Sequence, residues 1–182
     1  MAKKTALKRI EAPKLIKLDF GCGKRPKEGF EGVDERDFGQ PHKVDLRKPW
    51  PWANESVEEA FSSHFIEHLK PMERVHFVNE LYRVLIQGGK CQVVFPHWAS
   101  HRAYGDLTHQ WPPMSEFWFY YLSKQWRDEY APHNDFYTCD YECTWGYSMN
   151  PAVAQRAQDY QQHAIQNFKD AIYDIVATLT KK

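Results

Sequence analysis

The sequence predicts one α/β domain built on a mostly parallel sheet, and three observations carry that prediction. Short apolar runs bounded by Gly, Pro and Asp recur through the first hundred residues, which is how strands between turns read. A single strongly periodic helical stretch is interleaved with them, the pattern of an α/β fold. The run Cys91 to Phe95 is apolar at every position but Gln92, as fits a parallel sheet covered on both faces.

Taken in order, Leu15 to Phe20 forms a first strand ending in Gly21-Cys22-Gly23, Glu31 to Asp34 a second and His42 to Leu46 a third. Val57 to Ser63 is a fourth, after the turn-rich Pro49 to Asn54. From Pro71, the apolar positions Val75, Val78, Leu81, Tyr82 and Leu85 recur at three and four residues, one face of a helix, with Gly88-Gly89 as its stop. Cys91 to Phe95 is the fifth strand, followed by a polar, histidine-rich loop to Pro113. Ser115 to Trp126 reads as a helix dense in aromatics, and Phe136 to Tyr147 as a strand. Asn150-Pro151 is an N-cap with proline at the first helical position, opening a surface helix whose Val153, Ala157, Tyr160, Ala164 and Phe168 share a face. Ile172 to Leu179 closes the chain as a β-branched strand.

Composition excludes several classes. Of 182 residues, 24 are basic and 24 acidic, so the chain as a whole is no polyanion binder. No apolar run approaches the roughly 20 residues of a bilayer span, and mean hydropathy is −0.71. The basic start lacks an apolar segment of signal-peptide type, so a cytoplasmic protein with no membrane partner is expected. Cys22, Cys91, Cys139 and Cys143 show no CxxC spacing, which argues against a zinc cage or a disulfide framework. Charge is nevertheless uneven: Lys3, Lys4, Lys8, Arg9, Lys14 and Lys17 face only Glu11. Residues 1–13 are therefore read as a basic arm, able to contact phosphates, and 14–182 as the single domain.

A strand that ends in Gly-x-Gly brings backbone amides to the carboxyl edge of a sheet, where a ligand or water is expected to satisfy them. Pro26 stands where a dinucleotide fingerprint needs its third glycine, Asp34 comes only thirteen residues after Gly21, and no phosphate-loop lysine pattern occurs. A ligand with a ribose diol but no pyrophosphate fits these departures, and S-adenosylmethionine is such a ligand. The segments Leu18-Asp19-Phe20-Gly21-Cys22-Gly23, Gly32-Val33-Asp34, Val44-Asp45-Leu46, Ser63 to Leu69 and Glu80 to Gly89 resemble the successive motifs of class I, Rossmann-like S-adenosylmethionine-dependent methyltransferases. The resemblance spans Lys14 to Pro96. It implies a seven-stranded sheet with an antiparallel last strand and a methyltransferase that binds S-adenosylmethionine and releases S-adenosylhomocysteine.

By that resemblance Asp19 and Phe20 lead into and organise the loop, Gly21, Cys22 and Gly23 pass under the methionine part, and Asp34 takes the ribose hydroxyls. Asp45 and Leu46 border the adenine, and His64 lies near the transferable methyl. Only ten residues separate Gly23 from Asp34 and seven separate Asp34 from His42, so these crossovers lack room for the usual helices, one face of the sheet is expected to be thinly covered, and the sequence resembles a compact subgroup. Pro96 to His109 holds three histidines, Arg102 and Asp106; His109 is read as a base oriented by Asp106, with His101 as the fallback. Imidazole and carboxylate are common metal ligands, but the family does not imply an ion and none is expected. The acceptor is read as a small molecule or glycan-like compound offering N, O or C. The alternatives are a nucleic-acid methyltransferase using the basic arm, and a non-catalytic cofactor binder.

Overall fold

A computed structural model describes residues 15–182; the basic arm of residues 1–13 lies outside the described residues. Its strands are β1 (Ile16–Phe20), β2 (Glu31–Asp34), β3 (His42–Lys43), β4 (Val57–Ser63), β5 (Leu85–Pro96), β6 (Tyr141–Met149) and β7 (Ile172–Lys181). Its helices are α1 (Pro71–Val84), α2 (Arg102–Gly105), α3 (Trp118–Tyr121), α4 (Lys124–Tyr130), α5 (Pro151–Ala154) and α6 (Gln158–Asn167). All strands join one seven-stranded sheet in the order β3-β2-β1-β4-β5-β7-β6. The first five run parallel, and β7 inserts antiparallel between β5 and β6. This is the mostly parallel sheet with an antiparallel last strand that the sequence implied. Among the described residues, no helix is long and apolar enough to cross a membrane.

The sheet is packed unevenly, as the short first crossovers imply and against the cover on both faces that the run Cys91 to Phe95 suggests. No helix occupies the crossovers β1–β2, β2–β3 or β3–β4: the first two are too short, and the third is the turn-rich stretch around Pro49 to Asn54. On one face Leu18, Ala60, Cys91 and Leu179 lie in register and are buried. Above them α1 presents Val75, Phe77, Val78, Leu81 and Val84, spaced as one helical stripe. Phe77 meets Phe20 and Trp50 at centroid distances of 5.8 and 5.3 Å, while Phe95 meets Trp118 and Phe119. On the other face the aligned row is Lys17, Glu59, Lys90, Thr180 and Glu142, with Lys17 and Glu59 paired at 2.8 Å. The loop after β1 covers this side sparingly, laying the Lys27 ammonium 4.1 Å from the Phe61 ring centroid.

Five expected elements differ. The strand expected over Phe136 to Tyr147 starts only at Tyr141 and runs to Met149. The third strand keeps only His42–Lys43. Gly88-Gly89 does not stop α1: the helix ends at Val84 and Leu85 enters β5 directly. The glycines instead form a bulge where the β4–β5 register shifts, with Gly88 at φ +74°. A Cβ on Gly89 would lie 2.8 Å from the Ile86 carbonyl oxygen. The aromatic helix is two pieces, since the Leu122 carbonyl accepts from Tyr141 N–H and the Ser123 hydroxyl caps α4. After Asn150, which caps as expected, the helix breaks at Gln155 to Ala157. The Gln161 side chain spans that break, donating to the Ala154 and Arg156 carbonyls, and only Ala164 of the expected stripe is buried.

Candidate active site

The carboxyl ends of β1, β2, β3 and β4 converge on a cleft of about 540 Å³. Of the residues singled out from sequence, Gly21, Gly23, Asp34, Asp45, Leu46, His64 and Asp106 line it. Phe20 is fully buried against Trp50, ring centroids 4.5 Å apart, so its side chain serves the core. Asp19, 3% exposed, stands behind the loop and accepts the Lys27 N–H at 2.8 Å; burial pushes its carboxyl pKa up.

The glycine loop is held by the protein itself. Gly21 and Cys22 both donate their N–H to the Val33 carbonyl, at 2.9 and 3.1 Å, and Gly23 donates to Asp34 Oδ2 at 3.0 Å. The expectation that these amides await a ligand is thus corrected: all three are already satisfied, and no amide cradle for a phosphate remains in Gly21 to Gly23. Gly21 (φ +72°) is required by proximity as well, because a Cβ there would lie 2.3 Å from the Phe65 ring. Asp34 Oδ1 accepts the Arg36 N–H at 3.0 Å, so one carboxylate joins the glycine loop to the end of β2 while facing the cleft. Further along, Asp45 accepts from Arg47 Nε at 2.7 Å, and this hydrogen bond holds its carboxyl down to about 2. Arg47 also pairs with Glu35.

Burial pushes the Cys22 thiol up to about 11, with the charges of Asp19 and Asp34 adding to the effect. Cys139 and Cys143 rise to about 12 for the same first reason. None of the four cysteines is in a disulfide. Because the thiolate is the nucleophile, Cys22 is expected to resist iodoacetamide at pH 8, with alkylation accelerating only as pH rises toward 11. Rapid labelling at pH 8, read by peptide mass spectrometry, would contradict this environment.

The other end of the cleft differs from the sequence reading. Asp106 does not orient His109; its Oδ1 accepts the N–H and hydroxyl of Thr108 at 2.8 and 2.7 Å. The Thr108 oxygen in turn lies 2.9 Å from His68 Nδ1, and His68 and Thr108 both line the cleft. His109 stands behind His68, ring centroids 4.8 Å apart, with its Nδ1 3.3 Å from the Ala103 carbonyl. His101 is elsewhere, paired with Asp170 at 2.7 Å and outside the cleft lining. His97 is buried and bonded to Glu116 at 3.2 Å. His64 adopts φ +51° and sits 3.3 Å from Glu67, whose carboxylate raises the imidazole pKa. One ligating atom from each of Glu67, His68 and His109 lies within 4.8 Å of the other two. The sequence singles out Glu67-His68 without deciding between a site role and plain helix-end and packing roles, and it gives no signal for Thr108.

Residues 28–93 match the family model of the methyltransferase domain. The fold resembles an S-adenosylmethionine-dependent methyltransferase from Archaeoglobus fulgidus, at TM-score 0.66 and 16% identity over 92% of this chain and 86% of that one. It also resembles the 1,6-didemethyltoxoflavin-N1-methyltransferase of Burkholderia thailandensis (TM-score 0.56, 10% identity, 93% and 72% covered). A third likeness is the YcgJ protein of Bacillus subtilis (TM-score 0.54, 11% identity, 94% of each chain). No curated protein sequence matches the chain. Strand order and these likenesses give the chain the class I, Rossmann-like methyltransferase fold, and the family match covers residues 28–93 of it.

Proposed function

We propose that this chain transfers the methyl group of S-adenosylmethionine to a small-molecule acceptor, with residues 14–182 acting as one catalytic unit. The observation that carries the reading is Asp34, which ties the glycine loop to β2 and still presents acceptor lone pairs to the cleft, as a ribose diol needs. Gly21 and Gly23 border the methionine part, Val44, Asp45 and Leu46 the adenine, and His64 the methyl. Asp19 and Cys22 support the loop from behind. The acceptor enters at the His68 and Thr108 end, where the imidazoles of His68 and His109 handle its proton. Asp106 is a positioning residue acting through Thr108, and His101 has no part in the step. The reaction is in-line displacement at the sulfonium carbon, in which alignment can supply about 7–11 kcal/mol. A small acceptor accords with the Burkholderia enzyme, which was solved with 1,6-didemethyltoxoflavin and S-adenosylhomocysteine bound.

Titration calorimetry with S-adenosylmethionine, S-adenosylhomocysteine and NAD tests the cofactor. The two adenosyl sulfur compounds are expected to bind and NAD is not, because the loop offers a pyrophosphate no free amide between Gly21 and Gly23. Preferential NAD binding would overturn the reading. An oligonucleotide titrated alongside separates the acceptor classes: affinity that falls steeply with salt and vanishes on deleting residues 1–12 would favour nucleic acid instead.

A further inference from the structure

Beside His68, which lines the cleft, lies a buried carboxylate without a partner. Glu67 is only 6% exposed, and neither of its carboxylate oxygens has a hydrogen-bond partner, an arrangement folded chains avoid unless a cation compensates. The basic groups nearby give it no hydrogen bond. His64 Nδ1 approaches to 3.3 Å without hydrogen-bond geometry. The guanidinium of Arg74 is spent on the carbonyls of Leu69, Pro112, Glu67 and Gln110.

Two imidazole lone pairs adjoin this carboxylate. The Thr108 hydroxyl donates its proton to Asp106, so at the 2.9 Å contact with His68 it can only accept. His68 therefore carries its proton on Nδ1 and has its lone pair on Nε2. His109 Nδ1 faces the Ala103 carbonyl, which only accepts, so its lone pair is likewise on Nε2. Ligating histidines are commonly oriented in this way through the other ring nitrogen. The two segments that bring the groups together are joined by backbone: Gln110 N–H donates to the Glu67 carbonyl at 2.9 Å, and Arg74 bonds the carbonyls of both Glu67 and Gln110.

We propose that Glu67, His68 and His109 bind a divalent transition-metal ion, with zinc or iron(II) suited to two imidazoles and one carboxylate. The inference deepens the methyl-transfer reading and rests on it only for the ion's role. Three protein ligands leave a coordination position open toward the cleft, which favours an acceptor that presents an oxygen. On the ion a hydroxyl loses its proton to solvent more readily. The resulting oxygen forms the O–CH₃ bond as the S–CH₃ bond breaks and its electron pair returns to sulfur. With the ion bound, His68 and His109 act through it.

The test is calorimetric titration of the metal-stripped full chain with zinc chloride, repeated by absorbance with cobalt(II). One saturable site is expected, with a cobalt spectrum free of thiolate charge transfer. Glu67→Gln, which keeps the shape of the buried side chain, and His109→Ala should each weaken the metal by more than the roughly 10–100-fold typical of an outer-shell change. Exposed His133→Ala should leave it unchanged. If Glu67→Gln fails to fold, His109→Ala decides. Absence of saturable binding, a thiolate band, or unchanged affinity in His109→Ala overturns the site. S-adenosylhomocysteine is titrated separately into the same protein, so failure of the cofactor reading is distinguishable from failure of the metal site.

Discussion

Gly21→Ala is expected to destabilise the protein by about 2–5 kcal/mol and to abolish measurable S-adenosylhomocysteine binding. Two costs add. At φ +72° a β-carbon meets its own backbone, a penalty of about 1–2 kcal/mol. It also arrives 2.3 Å from Phe65 Cγ and 2.6 Å from Phe65 Cβ, and overpacking of that kind costs about 1–3 kcal/mol. Contact at Cβ and Cγ involves the root of the side chain, so a ring rotation does not relieve it, and the Phe65 ring already packs on Phe77 at 5.9 Å. The loop must move, and with it the Gly23 N–H bonded to Asp34. Gly23→Ala is the control: Gly23 has φ +54°, but a Cβ added there would meet nothing within 4 Å, so only the backbone penalty applies. Thermal denaturation and calorimetry on both variants check this, and equal melting temperatures would show that the Phe65 contact carries no weight.

Which parts of this architecture can be read from sequence follows from how local their causes are. The bounds of β2 and β4 were legible because turn residues bracket a few β-formers on both sides, and β1 differed by one residue. Gly88-Gly89 misled because glycines mark both helix ends and bulges, and which one applies depends on where β4 lies. The uneven cover of the sheet was legible in the short first crossovers, and less so in Gln92, Thr178 and Thr180, which alternate with buried Cys91, Ala177 and Leu179, a period-two pattern that the short run Cys91 to Phe95 concealed. In the site, the glycine turn and Asp34 were legible because both sit at strand ends and bond each other across eleven residues. His68 was not, since its partner Thr108 lies forty residues away. The expected Asp106–His109 pairing lost to a closer competitor: Thr108, two residues on, offers Asp106 both its N–H and its hydroxyl, the local side-chain-to-backbone bond that Asp favours in turns.

Asp34→Ala is expected to weaken S-adenosylhomocysteine by at least about 100-fold, because the residue has two duties and alanine performs neither. An ionised carboxylate offers roughly four lone-pair sites. Two are used, one by Gly23 N–H and one by Arg36 N–H, both at 3.0 Å, which leaves two for the ribose hydroxyls. Hydrogen bonds to a charged group are worth about 1.5–3 kcal/mol each, and losing two of them at the lower figure already corresponds to about 100-fold. The freed Gly23 amide adds loop disorder to that loss. Asp34→Asn separates the duties. Its amide keeps a single acceptor oxygen and adds donors of its own, so it is expected to retain much of the loop geometry and most of the melting temperature while losing about tenfold in affinity. If both variants bind S-adenosylhomocysteine as the wild type does while their melting temperatures fall, Asp34 serves the loop alone and the ribose lies elsewhere in the cleft.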